Sequence, residues 1–276
     1  MNPMNPTSLT NASETNGRAL PIYLIGGCKG GVGKSMVGEA LVDDLLRRGA
    51  RVLLVETDIS VPDVWRAYEH VPGIEGLTLD LDDVDGWIVL GTTLSRHPGR
   101  VAVVNTAARN DRGIVNYGSM LTRALAKLGR PLVTLWVINR QRDSLELLDD
   151  YLRVMPGALT HVIRNGHFGP TGKFELCNDS RFRERIEAAG GRSLTFPDLA
   201  DRVSDALRLG RLAIAKALDE REARIDFGSR IELERWRDET RALFDEIVPP
   251  LEGGPSGELN DELRDEPGGA TAPAAV

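Results

Sequence analysis

The sequence predicts an α/β protein, a doubly wound and mostly parallel sheet in a three-layer α/β/α arrangement. Two observations carry most of that. Short, nearly continuous apolar runs, such as Val52 to Val55, Val101 to Val104 and Leu132 to Ile138, have the pattern of strands buried on both faces. Stretches with helical spacing separate these runs, joined by short turns, and strand–helix alternation builds a parallel sheet. A third observation places the ligand. A glycine-rich turn, Gly27 to Ser35, lies between the first strand and the first helix, at the strand ends where such sheets bind small molecules.

In chain order, residues 1–18 are polar, lack the apolar core of a signal peptide and read as a disordered leader. Ile22-Tyr23-Leu24-Ile25 is the first strand. Gly27-Cys28-Lys29-Gly30-Gly31-Val32-Gly33-Lys34-Ser35 fits the phosphate-loop pattern of glycines closed by Lys-Ser, and Met36 to Arg48 follows as a helix. Glycines let backbone N–H groups close around phosphate oxygens, and the helix N-terminus adds partial positive charge. On this pattern Gly30, Gly31, Val32 and Gly33 cradle phosphate, Lys34 reaches the β and γ phosphates, and the Ser35 hydroxyl serves Mg²⁺. Arg51 to Val55 is the second strand, and its end carries Glu56-Thr57-Asp58, carboxylates at the ligand edge of the sheet.

Further along, residues 63–68 read as a short helix, Leu77 and Leu79 as part of a small edge strand, and 85–96 as a helix packed by Trp87, Leu90 and Leu94. Val101 to Val104 is a core strand ending at Asn105. Residues 116–128 read as a helix stopped by Gly129 and Pro131. After Leu132 to Ile138, Asp143 or Ser144 caps a helix over 145–155. Leu159 to Ile163 is a strand ending in Arg164-Asn165, and a glycine-rich loop follows over 167–177. Asp179 opens a basic helix with a solvated face, and Ser193 to Phe196 is a short strand. Helices are expected over 201–218 and 229–248, with Trp236, Thr240, Leu243 and Ile247 as a core stripe. The domain therefore spans 19–250. The tail, 251–276, is rich in acids, Gly and Pro, has no aromatic residue and reads as disordered.

Lys29 is a second lysine, five residues before Lys34. Lys29-Gly-Gly-Val-Gly-Lys-Ser35 resembles the deviant Walker A motif of the ParA/MinD family of P-loop ATPases. The resemblance implies an ATP-binding protein that forms a homodimer around ATP and Mg²⁺ and hydrolyses the nucleotide. It implies that Lys29 is catalytic, reaching the phosphates held by the other subunit, and that Asp58 positions or activates the attacking water. Glu56 stands where the family often has another aspartate. Asn105 occupies the Walker B position, where the family has an aspartate holding a Mg²⁺-bound water. An amide can still bond a water but brings no charge, and this departure bears on metal affinity and turnover. The resemblance also implies that Asn165, or else Asn139, reads the adenine edge, and that Pro197 and Asp198 lie over the base through their backbone.

Lys34-Ser35-Met36, Glu56-Thr57-Asp58 and Arg164-Asn165-Gly166-His167-Phe168-Gly169 look like the TraL/MobD-type subgroup, which is linked with plasmid conjugal transfer and mobilisation. A protein partner from a DNA-transfer or partition system is implied with it. Two alternatives stand beside this one. One is a partition ATPase binding DNA non-specifically, and the other is a non-hydrolysing ATP-dependent scaffold.

The totals limit the choices. With 276 residues, 41% hydrophobic and 27% charged, the chain suits one sizeable soluble domain. Of the net charge of −7, the tail carries −5, so the body is near neutral and gives DNA binding only a few arginine clusters. No apolar run has membrane-span length, and no basic amphipathic helix ends the chain as a membrane cycler requires. A cytoplasmic location is expected. Two cysteines, Cys28 and Cys177, are too few for a metal centre or an iron–sulfur carrier. No Asn-Lys-x-Asp guanine motif is present, which favours ATP.

Overall fold

A computed structural model describes residues 19–250, except Cys28, Lys29, Arg109 and Ala223. The leader, the acidic tail and Lys29 thus lie outside the described residues. The strands are β1 (Ile22–Gly27), β2 (Val52–Glu56), β3 (Ile74–Thr78), β4 (Val101–Asn105), β5 (Leu132–Ile138), β6 (Leu159–Asn165) and β7 (Ser193–Phe196). They form one sheet in the order β3-β2-β4-β1-β5-β6-β7, with every neighbouring pair parallel. β1 lies between β4 and β5, so the strand order reverses beside it. In open α/β sheets the ligand crevice lies outside the carboxyl ends of the strands at such a point.

The helices are α1 (Lys34–Arg47), α2 (Asp63–Tyr68), α3 (Val84–Arg96), α4 (Asp111–Leu128), α5 (Asp143–Val154), α6 (Glu175–Asn178), α7 (Arg181–Ala188), α8 (Asp201–Gly210), α9 (Ile214–Ala217) and α10 (Phe227–Asp245). Side chains alternate across each strand, and the alternation makes two cores. Tyr23, Ile25, Leu54, Val103 and Leu135 face α1, α2, α8, α9 and α10. Ile22, Leu24, Leu53, Val104 and Trp136 face α3 to α7. Burial on both faces explains why these strands read as unbroken apolar runs.

Several boundaries differ from the sequence expectation. α4 begins at Asp111 rather than at 116, and the expected cap of α5 is replaced. Arg142 holds the N-cap position without a side-chain bond, while the Ser144 hydroxyl donates to Asn139 Oδ1 at 2.7 Å. α7 starts at Arg181, where Ser180 Oγ accepts from the Arg183 N–H. The helix expected over 201–218 breaks after Gly210. Arg211 takes a left-handed conformation (φ 49°), and the Leu212 N–H reaches back to the Leu207 carbonyl at 3.0 Å. That six-to-one bond is a Schellman-type stop. Trp236, Thr240, Leu243 and Ile247 are all buried, as the core stripe required.

Candidate nucleotide site

β1 ends at Gly27, and α1 starts at Lys34 directly under the ligand edge of the sheet. Gly33 is the N-cap of α1 in a left-handed conformation, φ 100°. A Cβ there would lie 2.3 Å from Asn165 Nδ2, so both backbone and space demand glycine. Among the described residues no side chain caps α1, and its first turn holds no acid. The N-terminal N–H groups are therefore not engaged by a capping side chain, and the helix end is suited to an anion.

Gly30, Gly31, Val32, Gly33, Lys34 and Ser35 line one cleft of about 340 Å³, together with Met36, Glu39, Asp58, Asp63, Asn105, Thr106, Ala107, Ala108, Ser204 and Arg208. The volume is in the range of small-molecule sites. Lys34 is buried and Ser35 exposed. Asp58 stands across from the loop, with Oδ1 accepting the N–H groups of Ser60 and Val61, both at 3.1 Å. Those bonds fix the carboxylate at the start of the segment leading to α2.

β2 and β4 pair so that Glu56 lies opposite Asn105. Asn105 Nδ2 donates to both Glu56 oxygens, at 3.2 and 3.0 Å, and Glu56 Oε1 also accepts the Asp58 N–H at 3.0 Å. Burial pushes the Glu56 carboxyl up to about 7 against the pull of these bonds. Glu39 is pushed up to about 8, by burial first and then by the nearby charges of Asp63 and Glu56. Asn105 Oδ1, in contrast, is buried with no hydrogen-bond partner among the described residues.

Asn165 is brought to the loop from behind. Its Nδ2 donates to the Val32 carbonyl at 2.9 Å, and its Oδ1 accepts the His167 N–H at 3.0 Å. These two bonds use one of the two amide hydrogens and one of the two oxygen lone pairs. Asn139 instead caps the turn into α5, accepting from Gln141 N and Ser144 Oγ. The Pro197 carbonyl accepts from Trp236 Nε1 at 3.0 Å and the Asp198 carbonyl from Arg235 at 3.2 Å. The Asp198 backbone nitrogen lies 3.3 Å from the position a Cβ would take at Gly166. Neither residue borders the phosphate cleft, and neither does Asn165.

No family model matches the sequence. A MobD protein of Acidithiobacillus ferrooxidans is 52% identical over 230 residues, which is 83% of this chain and 99% of that protein. The chain belongs to the MobD family. Among solved structures, MinD in the MinC:MinD cell division protein complex of Aquifex aeolicus matches with a TM-score of 0.51 at 17% identity, over 83% of this chain and 97% of that one. A second structure, the MinD cell division protein of Aquifex aeolicus, gives 0.48 at 16%, over 83% and 99%. The MobD-family chain therefore has the α/β/α fold of P-loop NTPases.

The site of this MobD-family chain holds residues that sequence reasoning did not nominate. Ser204 and Arg208, one turn apart on α8, line the cleft opposite the phosphate loop. Thr57, Asn110 and Ala107 tie the ends of β2 and β4 together. Thr57 Oγ1 donates to Asn110 Oδ1, the Ala107 N–H reaches Thr57 Oγ1 at 2.8 Å and Asn110 Oδ1 at 3.0 Å, and Asn110 Nδ2 reaches Asp82 at 3.0 Å. The one available signal was a run of small polar residues after each strand, which names no partners.

Proposed function

We propose that this MobD-family protein binds ATP with Mg²⁺, forms a homodimer around it and hydrolyses it slowly, acting in plasmid DNA mobilisation. The carrying observation is the α1 N-terminus, free of a capping side chain and opening with Lys34 and Ser35 into a cleft faced by Asp58. Backbone N–H groups of the loop and the Lys34 ammonium hold phosphate oxygens and offset the charge that spreads over them during transfer. Asp58, held by two N–H groups, orients a water toward the phosphate. Lys29, from the partner copy, adds a second cation.

The residues also fit a divalent cation. Ser35 lines the cleft with Asp58 and Asp63, and the buried Asn105 Oδ1 lacks a partner among the described residues, where no three acidic, His or Cys side chains gather into a ligand cluster. Ser35 would hold Mg²⁺ directly and Asn105 through water. Bound Mg²⁺ supplies charge neutralisation on the phosphate oxygens. Asn105 carries no charge where a carboxylate would serve, and that supports the second reading, an ATP-dependent scaffold that turns over little. The plasmid process rests on the MobD relative and on the TraL/MobD-type motifs.

One assay separates the readings. Lys34→Ala is expected to lower ATP affinity by about 100-fold or more, the loss of a charge-assisted phosphate contact. Lys29→Ala should keep ATP binding but lose ATP-dependent dimerisation, followed by light scattering, and turnover. A Lys29→Ala protein that dimerises and hydrolyses like wild type overturns the role in trans. Wild type that dimerises without measurable turnover establishes the scaffold.

A further inference from the structure

Two facts about neighbouring strand ends stand together. The neutral Asn105 is where β4 meets the cleft, and a buried carboxylate, Glu56, lies directly beside it on β2. Both oxygens of Glu56 are held by the single Asn105 amide group. That grip orients the amide, because Nδ2 facing the carboxylate turns Oδ1 the other way. Oδ1 then lies 3.4 Å from the position a Cβ would take at Gly38, on the first turns of α1 that begin with Lys34 and Ser35. A reversed amide would set three acceptor oxygens together. The extra methylene of glutamate over aspartate is what carries the β2 carboxylate across to the β4 side chain.

We propose that the two strands have exchanged duties at this site: Glu56 supplies the negative charge that β4 lacks, and Asn105 relays it, presenting Oδ1 as the acceptor for a water on the nucleotide's divalent cation. The proposal rests on the ATP–Mg²⁺ reading above. Glu56 is thus a positioning residue for the metal-loaded nucleotide, and not a group that touches phosphate. The orphaned Oδ1 is a second mark of the same arrangement, since a buried acceptor is rarely left without a partner. An aspartate in place of Asn105 would put two carboxylates within hydrogen-bond distance, so the amide on β4 and the longer acid on β2 belong together as a pair.

The test is fluorescent mant-ATP titration of the full chain, once in Mg²⁺ and once in EDTA, with the ratio of the two dissociation constants as the readout. Activity is not involved. Wild type is expected to bind roughly 10-fold or more tightly in Mg²⁺, the scale of outer-shell contributions to metal affinity. Glu56→Gln should leave EDTA binding unchanged and bring the ratio to within about twofold of unity. Glu56→Gln combined with Asn105→Asp, which returns the carboxylate to β4, should restore the ratio. A Glu56→Gln protein with the wild-type ratio overturns the exchange while leaving ATP binding intact. If wild type binds mant-ATP in neither buffer, the ATP reading falls and the exchange with it. Should Glu56→Gln fail to fold, Glu56→Asp, which withdraws the charge by one methylene, is expected to lower the ratio, and an unchanged ratio is equally fatal.

Discussion

The two edges of the sheet solve opposite problems. At the N-terminal edge sits Arg130, 5% exposed, whose guanidinium donates to the carbonyls of Leu20, Pro21, Leu94, His97 and Arg100 at 2.7 to 3.4 Å. It gathers the entries of β1 and β4 and the C-terminal end of α3, where the helix dipole favours a cation. At the C-terminal edge, carboxylates crowd one another and the buried Asn105 Oδ1 has no partner among the described residues. The saturated edge is built for stability. The unsaturated edge keeps an open cleft, walled by Lys34, Ser35 and Asp58.

Breaking the saturated edge should cost most. Arg130→Met strands several carbonyls and is expected to lower stability by about 3 kcal/mol, read in urea unfolding. Its ATP affinity should stay within about twofold of wild type, because the stranded carbonyls belong to the far edge. A large loss of affinity would join two edges that are separated here.

The unsaturated edge should relax when its charge is removed. The Glu39 carboxyl holds its proton up to about 8 in the fold, against an ordinary 4.5. Folded protein therefore binds the extra proton, and stability falls as pH rises between those values. Glu39→Gln should match wild type near pH 4 and melt a few degrees higher at pH 9, on the ~4 °C per kcal/mol scale of such a domain. A flat difference across pH would remove Glu39 from the strained set.

His161, on β6, sharpens the contrast with the opposite sign. Burial first, and Arg192 second, pull the imidazole down to about 4 from 6.5. Its Nδ1 accepts the Arg192 N–H at 3.1 Å, while Nε2 has no partner among the described residues. Unfolded chain takes up the proton more readily, so stability is lost as pH falls from about 6.5 through 4. Replacing His161 with Gln should flatten that limb of a stability–pH curve. The smallest effect belongs to Arg211. Arg211→Gly relieves a left-handed side-chain residue and should gain about 1 kcal/mol in thermal melts.

The strands were legible because burial on both faces writes itself as continuous apolar sequence, as in Val52 to Val55. The phosphate loop was legible because only glycine tolerates the turn at Gly33. The break after α8 was not, since its left-handed residue is an arginine, a type that carries no stop signal. Ser204 and Arg208 were missed because the face that α8 turns to the cleft depends on how it packs on α10 and the sheet. Asn165 could be nominated as an amide at the carboxyl end of β6. That it grips Val32 is a contact across more than a hundred residues, and no local pattern encodes it.

The position of β1 sets a timetable for synthesis. Ile22 pairs with Ala102 on one side and with Leu132 on the other. At ~5–20 residues per second, a ribosome needs about 4–16 s after making Ile22 to deliver its first neighbour. Through that interval the strand that ends in the phosphate loop, with its row of Ile, Tyr and Leu, has no sheet to join. Parallel pairing at this separation also makes for slow folding. Nascent MobD-family chains should therefore be most exposed to aggregation, and most dependent on chaperones, before β4 and β5 emerge.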